Sequence, residues 1–63
     1  MSPAVIGSRA RTIRYLVETY ALAYADAAII TDYAADRGPH HITGTAKTLH
    51  YLPGGGWLIE GAA

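Results

Sequence analysis

The pattern of apolar and polar positions divides the chain at Gly38-Pro39. Residues 8–37 contain no glycine or proline and are rich in helix formers, which predicts one long N-terminal helix over this range. Gly38 suits a left-handed helix cap, and Pro39 cannot continue a helix. A break near Tyr24, with Asp26 capping a second helix, is the alternative, but no residue at this point forces a break.

Helical periodicity places two apolar stripes on nearly opposite sides of the predicted helix. The stripe expected to face the rest of the domain comprises Ile13, Leu16, Val17, Tyr20, Tyr24, Ala27, Thr31 and Ala34. The second stripe comprises Tyr15, Leu22, Ile29 and Tyr33. The C-terminal segment is too short to cover both stripes, so the second stripe is the predicted partner interface.

After Gly38-Pro39 the sequence changes to short runs rich in β-branched and aromatic residues. Two such runs, 42–52 and 57–60, flank a glycine-rich turn and predict a β-hairpin over 40–60. Alternation places four side chains on the hairpin face expected to pack on the helix: Leu49, Tyr51, Trp57 and Ile59. The predicted fold class is therefore α+β, a long N-terminal helix followed by a C-terminal β-hairpin in a single small domain of residues 1–63.

The same C-terminal segment also supports a winged helix-turn-helix. The run 49–58, Leu-x-x-Leu-x-x-x-Gly-Trp-Leu, resembles the end of the recognition helix and the first wing strand of that family. The resemblance implies a second helix over 26–37, a recognition helix over 43–52 and a wing that starts at Trp57. It also implies a DNA-binding transcriptional regulator whose groove-facing residues would be Thr43, Thr45, Lys47, Thr48 and His50.

The composition limits how a domain of this kind is stabilised. The chain has 63 residues and no cysteine, which excludes disulfides and thiolate zinc sites. A core of this size supplies only about 3–5 kcal/mol, and many small domains are supported by oligomerisation. Together with the second stripe and six Tyr and Trp residues, this predicts a homo-oligomer that also binds another protein. The alanine- and arginine-rich composition without Phe, Asn or Gln is typical of a GC-rich genome, such as an actinobacterium or its phage.

Five basic residues balance five acidic ones, so any nucleic-acid contact would have to be local. The candidate contacts are Arg9, Arg11, Arg14 and Lys47. The alternative role of the arginines is to keep the N-terminal region in solution. The longest apolar stretch, 15–30, is interrupted by charges, and the N-terminus shows no secretory signal, so the predicted location is the cytoplasm, away from membranes.

No motif for catalysis, metal binding or cofactor binding stands out. His40, His41 and His50 have no cysteine or nearby carboxylate to complete a metal site. The glycines at 54–56 precede a strand rather than a helix, unlike a phosphate-binding loop. The sequence therefore predicts a small non-enzymatic interaction or regulatory module without a cofactor or small-molecule substrate. The alternatives are the winged-helix regulator and a structural component of a larger assembly, such as a phage particle.

Overall fold

Two helices and four short strands lie along residues 4–61, the part of the chain that the computed structural model describes. In chain order they are β1 (Val5–Ile6), α1 (Arg9–Tyr20), α2 (Tyr24–Asp36), β2 (His40–His41), β3 (Lys47–Tyr51) and β4 (Trp57–Gly61). The strands form one antiparallel sheet in the order β1-β4-β3-β2. The α+β class predicted from the sequence is confirmed.

The prediction of one continuous helix over 8–37 is wrong, because the chain turns after Tyr20. α1 begins as expected at Ser8, whose hydroxyl accepts a hydrogen bond from the Arg11 amide at 3.1 Å. It ends at Ala21, which adopts the left-handed conformation with φ 56° and ψ 36°. Glycine and asparagine are the usual residues in this conformation, so an alanine there gives no signal in the sequence.

The second helix begins without a side-chain cap and ends where the sequence predicted. Ala23 is the N-terminal cap residue of α2, and Asp26 lies in the first turn instead of capping the helix. A carboxylate in the first turn interacts favourably with the positive end of the helix dipole. At the other end, the Gly38 amide donates to the Tyr33 carbonyl at 3.1 Å, and Gly38 has a φ of 132°. The expected helix stop at Gly38-Pro39 is confirmed.

β3 and β4 form a hairpin, narrower than the predicted range, at the centre of the sheet. Tyr51 pairs with Trp57 and Leu49 with Ile59, so these four side chains share one face. This is the face that contacts the helices, and Leu49 is completely buried there. The short edge strands β1 and β2, which the sequence analysis did not anticipate, extend the hairpin to a four-stranded sheet.

This sheet contradicts the winged helix-turn-helix interpretation. That interpretation needs a recognition helix over 43–52, whereas residues 47–51 form β3 and pair with β4 on one side and β2 on the other. The proposed groove-facing residues therefore lie on a strand or its preceding loop. The β-branched and aromatic residues of this segment favoured a strand over a helix.

The helices cover one face of the sheet, and the core lies between these two layers. α2 packs on β2, β3 and β4, and α1 packs beside α2. The buried apolar side chains are Ile13, Leu16, Ala27, Ile30, Ala34, Ile42, Leu49 and Trp57. The indole N–H of Trp57 donates to the Thr31 carbonyl at 2.9 Å, so the largest core residue ties β4 to α2 with its polar group satisfied.

Candidate interaction surface

α2 exposes an apolar row on the side that faces away from the sheet. Ile29 is 61% exposed, Tyr33 is 42% exposed, and Ala25 is exposed one turn before Ile29. Residues four apart lie on the same side of a helix, so these three side chains are neighbours. We call this row of Ala25, Ile29 and Tyr33 the α2 ridge. Tyr33 also packs edge-on against His40, with ring centroids 4.9 Å apart, which fixes one end of the row.

Three aspartates accompany the α2 ridge, and one of them joins the two helices. Asp26 and Asp36 are exposed, whereas Asp32 accepts two hydrogen bonds from Arg9, at 2.7 and 2.9 Å. These hydrogen bonds lower the pKa of Asp32 and raise the pKa of Arg9 above its ordinary value. Both side chains are about half exposed, at 53% and 48%, so the pair contributes little to stability. Its bidentate geometry nevertheless fixes the start of α1 against the second half of α2.

The outer face of α1 is polar and carries more positive than negative charge. Arg11, Arg14 and Glu18 are exposed there, and within residues 4–61 neither Arg11 nor Arg14 forms an ion pair. Arg14 also lines a shallow groove of about 310 Å³ between the helices, together with Val17 and Tyr24. The two outer faces therefore differ: α1 is basic, whereas α2 is apolar and acidic.

The structure brings together only part of the predicted partner interface. Ile29 and Tyr33 are neighbours on the α2 ridge, but Tyr15 lies on α1, and Leu22 lies in the turn between the helices, half-buried against the core. The prediction of the second stripe assumed a straight helix, and the turn at Ala21 interrupts that helix. The same turn explains why Tyr24 is 66% exposed, although it belongs to the stripe that was expected to face the rest of the domain.

Tyr15 faces a separate cleft of about 270 Å³ that is lined by residues of α1 and the sheet. Its ring meets that of Tyr20 edge-on, with centroids 6.2 Å apart. Burial, with a smaller effect of the neighbouring Tyr15, raises the pKa of Tyr20 above its ordinary value. Lys47 of β3 lines the same cleft.

The four predicted nucleic-acid contacts do not form one patch. Arg9 is engaged by Asp32, Arg11 and Arg14 lie on the outer face of α1, and Lys47 lies in β3 at the cleft just described. Two exposed arginines on one helix are a small positive surface compared with the several phosphate contacts that DNA-binding proteins make. This arrangement gives DNA binding no particular support.

The histidines lie on the paired strands β2 and β3. The Nδ1 atom of His40 lies 2.6 Å from the carbonyl oxygen of His41, and the Nε2 atom of His50 lies 3.5 Å from Glu60 on the neighbouring strand. Across residues 4–61, no three His, Asp or Glu side chains are grouped so that they could hold a metal ion. Neither described helix combines the length and the apolar character needed to cross a membrane.

Comparisons with protein-family models, with curated proteins and with solved structures found no match to this chain. The contrast between the outer faces of α1 and α2 is therefore the feature that bears on function.

Proposed function

We propose that this chain is a small non-catalytic interaction module that acts by binding a second copy of itself through the α2 ridge. The observation that supports this proposal is the composition of α2. Its only charged residues are three aspartates, and an apolar helix of this kind is normally covered on more than one side. Within the described residues, α2 is covered by the sheet and by α1, while Ile29 remains 61% exposed.

The setting of Ile29 supports an interface more than an isolated surface residue. A single exposed apolar side chain is common in monomeric proteins and needs no explanation. Ile29, however, is continuous with Tyr33 and is flanked by the exposed carboxylates of Asp26 and Asp36. An apolar centre that contains an aromatic residue and has a polar rim is the usual composition of a protein interface.

The size of the domain adds a second argument. Within residues 4–61, eight apolar side chains form the buried core, and neither a disulfide nor a metal cluster supports it. Association would bury further apolar surface and would stabilise the folded state by mass action. The module would therefore be most stable as an oligomer.

The experiment is sedimentation velocity over a range of concentrations, with Ile29→Ser and the control Val5→Ser. Val5 is 53% exposed but lies on strand β1, away from α2. Ile29→Ser should weaken the dimer about 10- to 100-fold, which corresponds to the roughly 1.5–3 kcal/mol gained by burying such a side chain. Val5→Ser should leave association unchanged. A wild-type chain that remains monomeric at about 100 μM would overturn the proposal.

A further inference from the structure

The helical layer carries opposite charges on its two halves. The bidentate pair between Arg9 and Asp32 neutralises one charge of each sign at the boundary between the helices. What remains on the outer face of α1 is Arg11 and Arg14 with Glu18. What remains along α2 is Asp26 and Asp36, with Arg37 exposed just after the last residue of the helix. The excess charge is therefore positive over α1 and negative over α2.

The contacts between the helices define which positions lie level with each other. Arg9 near the start of α1 meets Asp32 of α2, and Val17 near the end of α1 lines one groove with Tyr24. The helices are therefore antiparallel, with the beginning of α1 beside the second half of α2. Arg14, five positions after Arg9, is level with the turn of α2 that contains Asp26.

From this charge pattern we infer how two copies associate: α1 of each copy lies on α2 of the other. This inference rests on the self-association proposed above and specifies its geometry. A half-turn about an axis parallel to the helices places α1 of the second copy over α2 of the first. The two helices then run antiparallel, and each residue keeps its position along the axis. Arg14 of one copy then faces Asp26 of the other, and the reciprocal pair forms at the other side of the axis.

The same arrangement covers the apolar part of the ridge. Arg11 lies level with the turn that contains Ile29, and the methylene stem of an arginine can cover an apolar side chain while its guanidinium reaches a carboxylate. Glu18 reduces the positive charge of α1, but it lies level with the turn between the helices, at the edge of the acidic surface. An arrangement with α1 on α1 would instead bring the arginines of the two copies together, which is unfavourable.

The dimensions of the molecule allow a contact of ordinary size. The principal extents are 27, 26 and 19 Å. A face spanned by the two longer extents has an area of the order of the roughly 800 Å² per partner that a standard interface buries.

Charge reversal at the two facing positions tests the inference. Arg14→Glu and Asp26→Lys should each weaken the homodimer about 10-fold, since each variant places two like-charge pairs across the interface. A mixture of the two variants should form heterodimers of near wild-type affinity, because one contact then joins a glutamate to a lysine and the other is the original arginine–aspartate pair. The double variant should dimerise with itself, because both of its contacts join a glutamate to a lysine. Lys47→Glu, which makes the same charge change as Arg14→Glu on strand β3, is the control.

The readouts are sedimentation for affinity, native mass spectrometry for heterodimers and circular dichroism for folding. This geometry is wrong if both single variants dimerise as the wild type does, or if their mixture forms no heterodimers. Self-association through the ridge still stands in either case, provided that Ile29→Ser dissociates the dimer. A monomeric wild type would overturn both proposals. Should a reversal variant unfold, Arg14→Gln and Asp26→Asn replace it, and each should reduce the salt dependence of dimerisation. Unchanged salt dependence in both would also refute the geometry.

Discussion

Gly56 is the residue at which the turn of the central hairpin meets the edge strand β1, and its replacement by alanine should strongly destabilise the domain. Its φ is 95°, a conformation that residues with a β-carbon rarely adopt. A β-carbon at this position would lie 2.8 Å from the Cγ1 atom of Val5 and 3.3 Å from the carbonyl oxygen of Ile6. Conformational strain and steric overlap therefore act together at this position.

The two neighbouring glycines allow these effects to be separated. Gly55 has the same φ of 95°, but an added β-carbon would meet only the Tyr51 hydroxyl, at 3.7 Å. Gly55→Ala should therefore cost about 1–2 kcal/mol from backbone strain alone. Gly56→Ala adds overpacking of about 1–3 kcal/mol, for a total near 2–5 kcal/mol. Gly54 has neither a positive φ nor a close neighbour, so Gly54→Ala should leave the stability unchanged or raise it by up to about 1 kcal/mol. Any gain would arise because alanine lowers the conformational entropy of the unfolded chain.

The assay is urea unfolding followed by circular dichroism, at one protein concentration because association would alter the apparent stability. Val5→Ala in the Gly56→Ala background removes the overlapping methyl group and should recover at least about 0.5 kcal/mol beyond additivity. Equal effects of alanine at Gly55 and Gly56, without recovery by Val5→Ala, would show that β1 does not pack against the turn. The reasoning would then be refuted.

Two further predictions concern the helical layer. Ala21→Gly should raise the free energy of unfolding by about 0.5–1 kcal/mol, because glycine adopts the left-handed conformation of this residue without strain. Thermal unfolding measures this change in stability. A variant less stable than the wild type would contradict the left-handed conformation of Ala21. Because Arg9 lowers the pKa of Asp32, their pairing stabilises the fold above the ordinary pKa of 3.8 and ceases to do so as the pH falls through the lowered value. The small stability difference between wild type and Asp32→Asn should therefore shrink in acid, and a pH-independent difference would argue against the pair.

The hairpin could be predicted from the sequence because its signals are local. Alternation in 47–51 and 57–61 and the glycines between them determine both the strands and the face that is buried. β1 and β2 could not be predicted in this way. Each has two residues, which is too short for a periodic pattern, and each exists only because a longer strand is available to pair with it.

The helical segment shows where local reasoning fails. Periodicity correctly placed Ile29 and Tyr33 on one exposed face, because both lie within α2. It failed for Tyr15 and Leu22, because the turn at Ala21 changes the direction of the chain and resets the helical phase. Neither glycine nor proline marks this turn, so the break depends on tertiary packing that outweighs the strain of one left-handed alanine.

The distribution of charge along the segment is unfavourable for a single helix, because arginines near the start and aspartates near the end would both oppose the helix dipole. The arginines at 9, 11 and 14 precede the aspartates at 26, 32 and 36. Arg9 and Asp32 are 23 positions apart, which in a continuous helix would separate them by about 35 Å, whereas in the structure they are hydrogen-bonded at 2.7 Å. The turn at Ala21 thus converts a separation of charge along the sequence into two oppositely charged faces side by side. In the proposed dimer, the same turn that allows the core to close also creates the surface that recognises a second copy.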